Sequence, residues 1–306
     1  MQCRAPRHRT NGGGVFMIAQ QLINGVMLGA IYVLVAVAFT LAIGILNFMN
    51  FSIPGLFMVG GMVTWVLLRD GWHWSLACGA ALLVAGVIAL MVERLSYRRS
   101  RAGDMEVPLV SSLGFLVLLE SLALVLIGSD QQAFPPLIGD FNWRIGGLVI
   151  GAAQVISLVI SIALVAALSL MLSRTSLGRQ IRSIAESRET AVLLGIDVDR
   201  IIPQVFVFSA VFTALGGILF SLNYLQVSPV MGEGVGFKGI AAMVLGGMGS
   251  VWGAVLGGLL IGLTEVLSIR FLGADMVNIA VYGLLLLLLI LRPQGLLGKP
   301  PSWEKL

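Results

Sequence analysis

The sequence predicts an all-α polytopic integral membrane protein, with about eight or nine transmembrane segments and Gly/Pro-broken helices in both halves. Three observations carry that prediction. Hydrophobic residues make up 58% of the 306 positions and charged residues 11%, with mean hydropathy +0.99, whereas ordinary soluble domains carry roughly 25% charged residues. The apolar residues fall into long uninterrupted runs, and the arginines collect in the intervals between them. The net charge of +4 therefore reports orientation and contact with membrane lipid rather than nucleic-acid binding.

The same inventory excludes several chemistries. Cys3 and Cys78 are the only cysteines, and His8 and His73 the only histidines. Neither a disulfide framework, a metal knuckle nor a nucleophile constellation can be built from them. A phosphate-binding G-x-x-x-x-G-K-[ST] is missing too, since Gly239 follows Lys238 and Pro300 follows Lys299. Any ATP driving this protein would be bound by partner subunits, and the chain itself is expected to need no cofactor and to be no enzyme.

Residues 1–16 hold Arg4, Arg7, Arg9 and the run Gly12-Gly13-Gly14. They look like the start of a signal peptide, but no small-residue cleavage site follows and the next apolar stretch is far too long. They are read as an extension without a fold of its own, leaving 17–299 as the transmembrane domain and 300–306 as a tail. The apolar segments then run Ile18–Ile45, Phe51–Leu68, Trp74–Val92, Pro108–Ile127, Leu148–Leu172, Ile201–Leu222, Val235–Gly249, Val251–Ile269 and Met276–Leu291. A span needs about 20 residues at a rise near 1.5 Å, so only the glycine-rich Val235–Gly249 is marginal.

Orientation follows from the arginines. The loop carrying Arg94, Arg98, Arg99 and Arg101, the interval 172–200 and the tail after Leu291 are basic and so are placed in the cytoplasm. Gly128 to Gly147 then faces outward. Counting back from Arg94 puts the N-terminus outside if three segments cross, yet the arginines before Met17 favour inside. Three crossings are also required after Leu222, one of them the short glycine-rich stretch. The count strains only at these Gly/Pro-interrupted regions, a pattern that points to a transport site.

In the interval 172–200, Ile181, Ile184, Ala185, Ala191, Val192 and Gly195 approximate one apolar helical face opposite five arginines. An amphipathic helix of this kind either docks on a protein partner or rests on anionic lipid. Elsewhere, Pro54 and Gly55 break the second segment, with Asn47, Asn50 and Ser52 beside the break as candidate polar lining of a path. Gly246-Gly247 is the corresponding candidate break in the second half. Gly249, Gly253 and Gly257 read as small-residue helix packing, and Gln20, Gln21 and Asn24 as polar tethers on the first span. Glu120 and Glu265 lie deep in apolar runs, where a charge costs at least about 2.5 kcal/mol and defaults to a functional role. For Glu265 a structural role is favoured, with Arg270 near the segment end as its neutralising neighbour.

Several motifs resemble one family. Glu189-Thr190-Ala191-Val192-Leu193-Leu194-Gly195 is similar to the EAA loop of ABC importer permeases, the cytoplasmic helix that docks on the ATP-hydrolysing subunit. Asn50-Phe51-Ser52 with Phe57-Met58-Val59-Gly60-Gly61, Thr175 to Gly195, Gly236-Phe237-Lys238 through Gly258, and Arg292-Pro293-Gln294-Gly295-Leu296 resemble, in order, LivH-type permeases of branched-chain amino-acid importers. One departure is Ile53-Pro54-Gly55, where the family pattern carries His-Gly-Glu. The resemblance implies a second permease of LivM type, two ATP-binding subunits, a periplasmic substrate-binding protein and a multi-pass place in the bacterial inner membrane. It also implies ATPase-coupling roles for Gly178, Arg179, Glu189, Ala191 and Gly195, while the two breaks themselves point to a translocation path near Asn47, Asn50, Ser52, Pro54, Gly246 and Gly247. The expected function is ATP-driven import of a branched-chain or related amino acid. The alternative is a self-sufficient ion-coupled transporter or channel, with Glu120 and Glu265 as its coupling carboxylates.

Overall fold

The computed structural model describes residues 13–46, 48–98, 106–137, 142–145 and 148–298. Its helices are α1 (Gly13–Leu46), α2 (Ser52–Arg69), α3 (Trp74–Val92, continued by a π-helical turn Glu93–Tyr97), α4 (Glu106–Ile127), α5 (Ala152–Arg174), α6 (Ser176–Glu186), α7 (Arg188–Leu193), α8 (Val198–Tyr224), α9 (Met231–Gly246), α10 (Val251–Phe271) and α11 (Val277–Leu291). Short strands β1 (Gln132–Ala133), β2 (Asn142–Ile145), β3 (Leu148–Gly151) and β4 (Gln226–Val227) pair antiparallel as β1 with β4 and β2 with β3. Among the described residues, eight helices are long and apolar enough to cross a membrane. The ninth apolar segment, α9, has 16 residues.

Local chemistry sets the boundaries. Side-chain oxygens cap the orphan N–H groups of three helices: Thr175 accepts from Gly178 N at 3.1 Å, Ser187 from Thr190 N at 3.3 Å and Ser250 from Gly253 N at 3.1 Å. Two expectations need correction here. The interval 172–200 is not one amphipathic helix, because Ser187 is extended (φ −157°) and ends α6 while capping α7. The segment expected from Leu148 begins as a strand paired with Asn142–Ile145, and the helix starts only at Ala152.

Helix α1 is the centre of the bundle. In its most apolar 18-residue stretch 89% of residues are buried, against 17% for the corresponding stretch of α4 and 11% for that of the last span, so α4 and α11 lie at the periphery of the bundle. Close approach of α1 and α10 depends on small residues: a Cβ at Gly262 would collide with the Gly29 backbone, and one at Gly258 with Val33. Gly253 and Gly257 likewise admit the α9 backbone at Gly246 and Ala242, as the packing reading expects. Gly249 instead sits in the α9–α10 turn at φ +84° with nothing near it.

Hydrogen bonds between distant segments sort the helix ends into two sets. At the end expected outside, Gln20 exchanges two bonds with Val149, donating to its carbonyl at 2.8 Å and accepting from its N–H at 2.9 Å. Trp65 Nε1 donates to Ala133 O at 2.9 Å, and β1 pairs with β4. At the arginine-rich end, Phe48 stacks on Tyr97 at 5.6 Å, Arg188 donates to the Tyr97 hydroxyl at 3.0 Å, and Leu296 and Leu297 donate to Leu245 O and Gly246 O. Helix α1 therefore begins at the end opposite the arginine-rich one, and the first three segments each run from one end of the bundle to the other. The short α9 runs from β4 to the arginine-rich end.

Candidate functional site

The arm α6–α7, expected in the cytoplasm, is held to the bundle by its buried side. Ile181, Ile184 and Ala191 are buried in this chain, whereas Ala185 and Val192, expected on the same face, are exposed. Gly178 lies so close to the end of α5 that a Cβ would strike the carbonyls of Met171 and Leu172, and Arg182 donates to Leu172 O. Arg188 ties α7 to Tyr97. Arg179 and Glu189 point to solvent, and Gly195 adopts φ +78° in open space, reversing the chain into α8. Three large apolar side chains in sequence, Val192, Leu193 and Leu194, stand 56%, 87% and 71% exposed. Ala191 thus anchors the arm from within, and the three residues after it form its free apolar tip.

The break before α2 is built on Asn50. Its Oδ1 accepts from Ser52 N at 3.1 Å and from Ser52 Oγ at 2.7 Å, so Asn50, not Ser52, satisfies the start of the helix. Phe51 N donates to Ser112 Oγ at 3.0 Å. Pro54 falls in the first turn, where its missing N–H leaves no helical bond unmade. Asn50, Ser52 and Pro54 are buried, and Pro54 is covered by α9, whose Gly232 and Gly236 leave no room for a Cβ against it. Asn47 lies outside the described residues. Gly246 ends α9 and Gly247 follows at φ +109°, so the break expected there is present. Both glycines are packed, Gly246 against Gly253 and Gly247 against Leu297 and Gly298.

A buried ion pair joins three helices. Lys238 Nζ of α9 contacts Glu265 Oε1 of α10 at 2.6 Å, and the Tyr32 hydroxyl of α1 donates to Glu265 Oε2 at 2.6 Å. The ammonium also lies 3.4 Å from the Tyr32 oxygen and 5.7 Å from its ring. Arg270, the partner suggested by sequence proximity, contacts Met17 Sδ instead. A charge in a membrane interior persists when neutralised and hydrogen-bonded, and here both carboxylate oxygens are engaged. Sequence reasoning missed Lys238 and Tyr32, although Lys238 is the sole charged residue of Val235–Gly249. Glu120 Oε1 is buried with no hydrogen-bond partner among the described residues, and nothing in the structure explains it. Among those residues, no three His, Cys, Asp or Glu side chains gather as metal ligands would.

This architecture can be set beside known proteins. A family model described as branched-chain amino acid transport system / permease component matches residues 21–291. The chain belongs to that family. The permease is 32% identical over 299 residues to the high-affinity branched-chain amino acid transport system permease protein BraD of Pseudomonas aeruginosa, covering 94% of this chain and 97% of the relative. It is also 32% identical over 295 residues to the LivH permease protein of Escherichia coli, covering 92% and 96%. In fold it is similar to PsaBC from Streptococcus pneumoniae, solved in complex with a Fab, with TM-score 0.51, 14% identity and 91% and 92% of the two chains covered. The permease is thus a multi-pass membrane protein of the ABC importer class, working with ABC partner subunits, and not an enzyme.

Proposed function

We propose that this permease passes a branched-chain or related amino acid through the bacterial inner membrane. In that reading it pairs with a second permease of LivM type, is driven by two ATP-binding subunits, and receives its solute from a periplasmic binding protein. The observation that carries the proposal is sequence identity near one third, sustained over almost the full length of BraD and LivH.

The geometry supports roles for particular residues. The apolar tip Val192–Leu194 is the contact for the ATP-binding subunit, with Arg179 and Glu189 at its polar rim. Gly178, Ala191 and Gly195 couple by holding the arm in place, so that a push on the tip reaches α5, α3 and α8. The path itself is assigned to the turn Asn50-Ser52-Pro54, with Asn47, and to the α9 end at Gly246-Gly247, in a closed arrangement that moves on transport. The Lys238–Glu265 pair argues against Glu265 as an ion-coupling carboxylate, because the site already holds its own cation. Purification of the permease with the three other kinds of subunit tests the proposal: ATP hydrolysis should rise when leucine-loaded binding protein is added. Hydrolysis indifferent to every amino acid tried would defeat it.

A further inference from the structure

On the outward side, a cavity of about 260 Å³ opens between α1, α5, α8 and α10, just below the usual range for drug-sized ligands of about 300–1,000 Å³. Its polar lining is made of neutral amides with unused valences. Asn223 Nδ2 donates to Ser157 Oγ and Leu219 O, which leaves its Oδ1 as an acceptor. Gln154 Oε1 accepts from Gly151 N, which leaves its Nε2 as a donor. Asn24 Oδ1 accepts from Gln20, and among the described residues no partner engages its Nδ2 or either end of Gln21. The remaining wall is Tyr224 and the aliphatic Met27, Leu28, Ile31, Val266 and Ile269.

Beneath this cavity lies the buried ion pair. Leu28 on α1 and Ile269 on α10 are each four residues from Tyr32 and Glu265, hence on the same helical faces, and in both helices the triad is one turn, about 5.4 Å, deeper. No charged side chain lines the cavity itself, whose inner end is closed by Leu28, Ile31 and Val266. A solute with a net charge would face no opposite charge there, whereas a zwitterion finds both donors and acceptors.

From this juxtaposition we infer that the cavity is a solute-binding site on this permease for a zwitterionic amino acid with an aliphatic side chain. Asn24 Nδ2 and Gln154 Nε2 take the carboxylate, Asn223 Oδ1 and Gln21 Oε1 take the ammonium, and the aliphatic wall takes the side chain. Tyr32, Lys238 and Glu265 lie outside the lining and tie α1, α9 and α10 together beneath it. The inference rests on the amino-acid reading above and deepens it, by placing a binding step on the permease after the binding protein has released its cargo.

The test uses the complete transporter in proteoliposomes, with Cys3→Ser and Cys78→Ser as background. Gln21→Cys should react with a membrane-impermeant maleimide from outside, and L-leucine should slow that reaction at least fivefold while sucrose does not. Asn24→Leu in the same complex should lower leucine uptake at least tenfold. Labelling of Gln21→Cys unaffected by leucine, in a complex that transports leucine, would overturn the site and leave the amino-acid reading standing. A parent complex that moves no amino acid would instead overturn that reading, and the site with it.

Discussion

At the scale of single residues, the strongest constraint is the charge pair inside the bundle. Glu265 keeps both carboxylate oxygens engaged, one by Lys238 and one by Tyr32, so losing one partner leaves a charge with reduced compensation in low dielectric. Lys238→Met should destabilise the folded permease by about 3–5 kcal/mol, and the double change Lys238→Met with Glu265→Leu should recover most of that loss. Tyr32→Phe removes one hydrogen bond to a charged group and should cost about 1.5–3 kcal/mol. Thermal unfolding of the purified protein in detergent checks all three, and a double variant no better than the single one would show that the pair is not the coupled unit. Glu265 was legible in the sequence as a charge out of place. Its partners were not, because Lys238 is 27 positions away and Tyr32 233, while proximity along the helix favoured Arg270.

At the scale of elements, the cytoplasmic arm divides its labour between a buried side and an exposed tip. Leu193, at 87% exposure, touches almost nothing in this chain, so Leu193→Arg should leave membrane insertion unchanged and abolish co-purification with the ATP-binding subunits. Unimpaired co-purification of that variant would remove α7 from the contact. Gly195→Trp tests the same arm differently. Its φ of +78° disfavours any side chain by about 1–2 kcal/mol, although the space around it is open. Association with the ATPase should weaken through a misdirected arm rather than through a clash within the chain. Ala191 of α7 is buried within the chain, whereas Gly195, four residues on, stands in open space. Periodicity reports that a face is covered and is silent on whether the cover is cis or trans. The division at Ser187 escaped the periodic pattern for a related reason: one capping hydroxyl reset the helix without altering the spacing of apolar residues.

At the scale of the whole molecule, the bundle's topology was legible wherever charge and length agreed. Eight spans were plain from apolar length alone, and α9 was not, because its 16 residues and many glycines resemble a loop. What fixes its two ends is non-local: β4 hydrogen-bonds to β1 at one end, and the closing Leu296-Leu297 segment bonds to Leu245 and Gly246 at the other. The orientation predicts that a cysteine replacing Gln131 reacts with an impermeant reagent outside intact cells, whereas one replacing Ser187 does not. Reversed reactivity would invert the assignment of sides. The central claim is that this permease imports an amino acid only as part of an ATP-driven complex, and it is tested most directly by labelled leucine uptake into proteoliposomes. The permease with its LivM-type partner, both ATP-binding subunits and the binding protein should accumulate leucine when ATP is supplied on the cytoplasmic side, and the permease alone should not. Uptake by the isolated chain, driven by an ion gradient without ATP, would contradict the account.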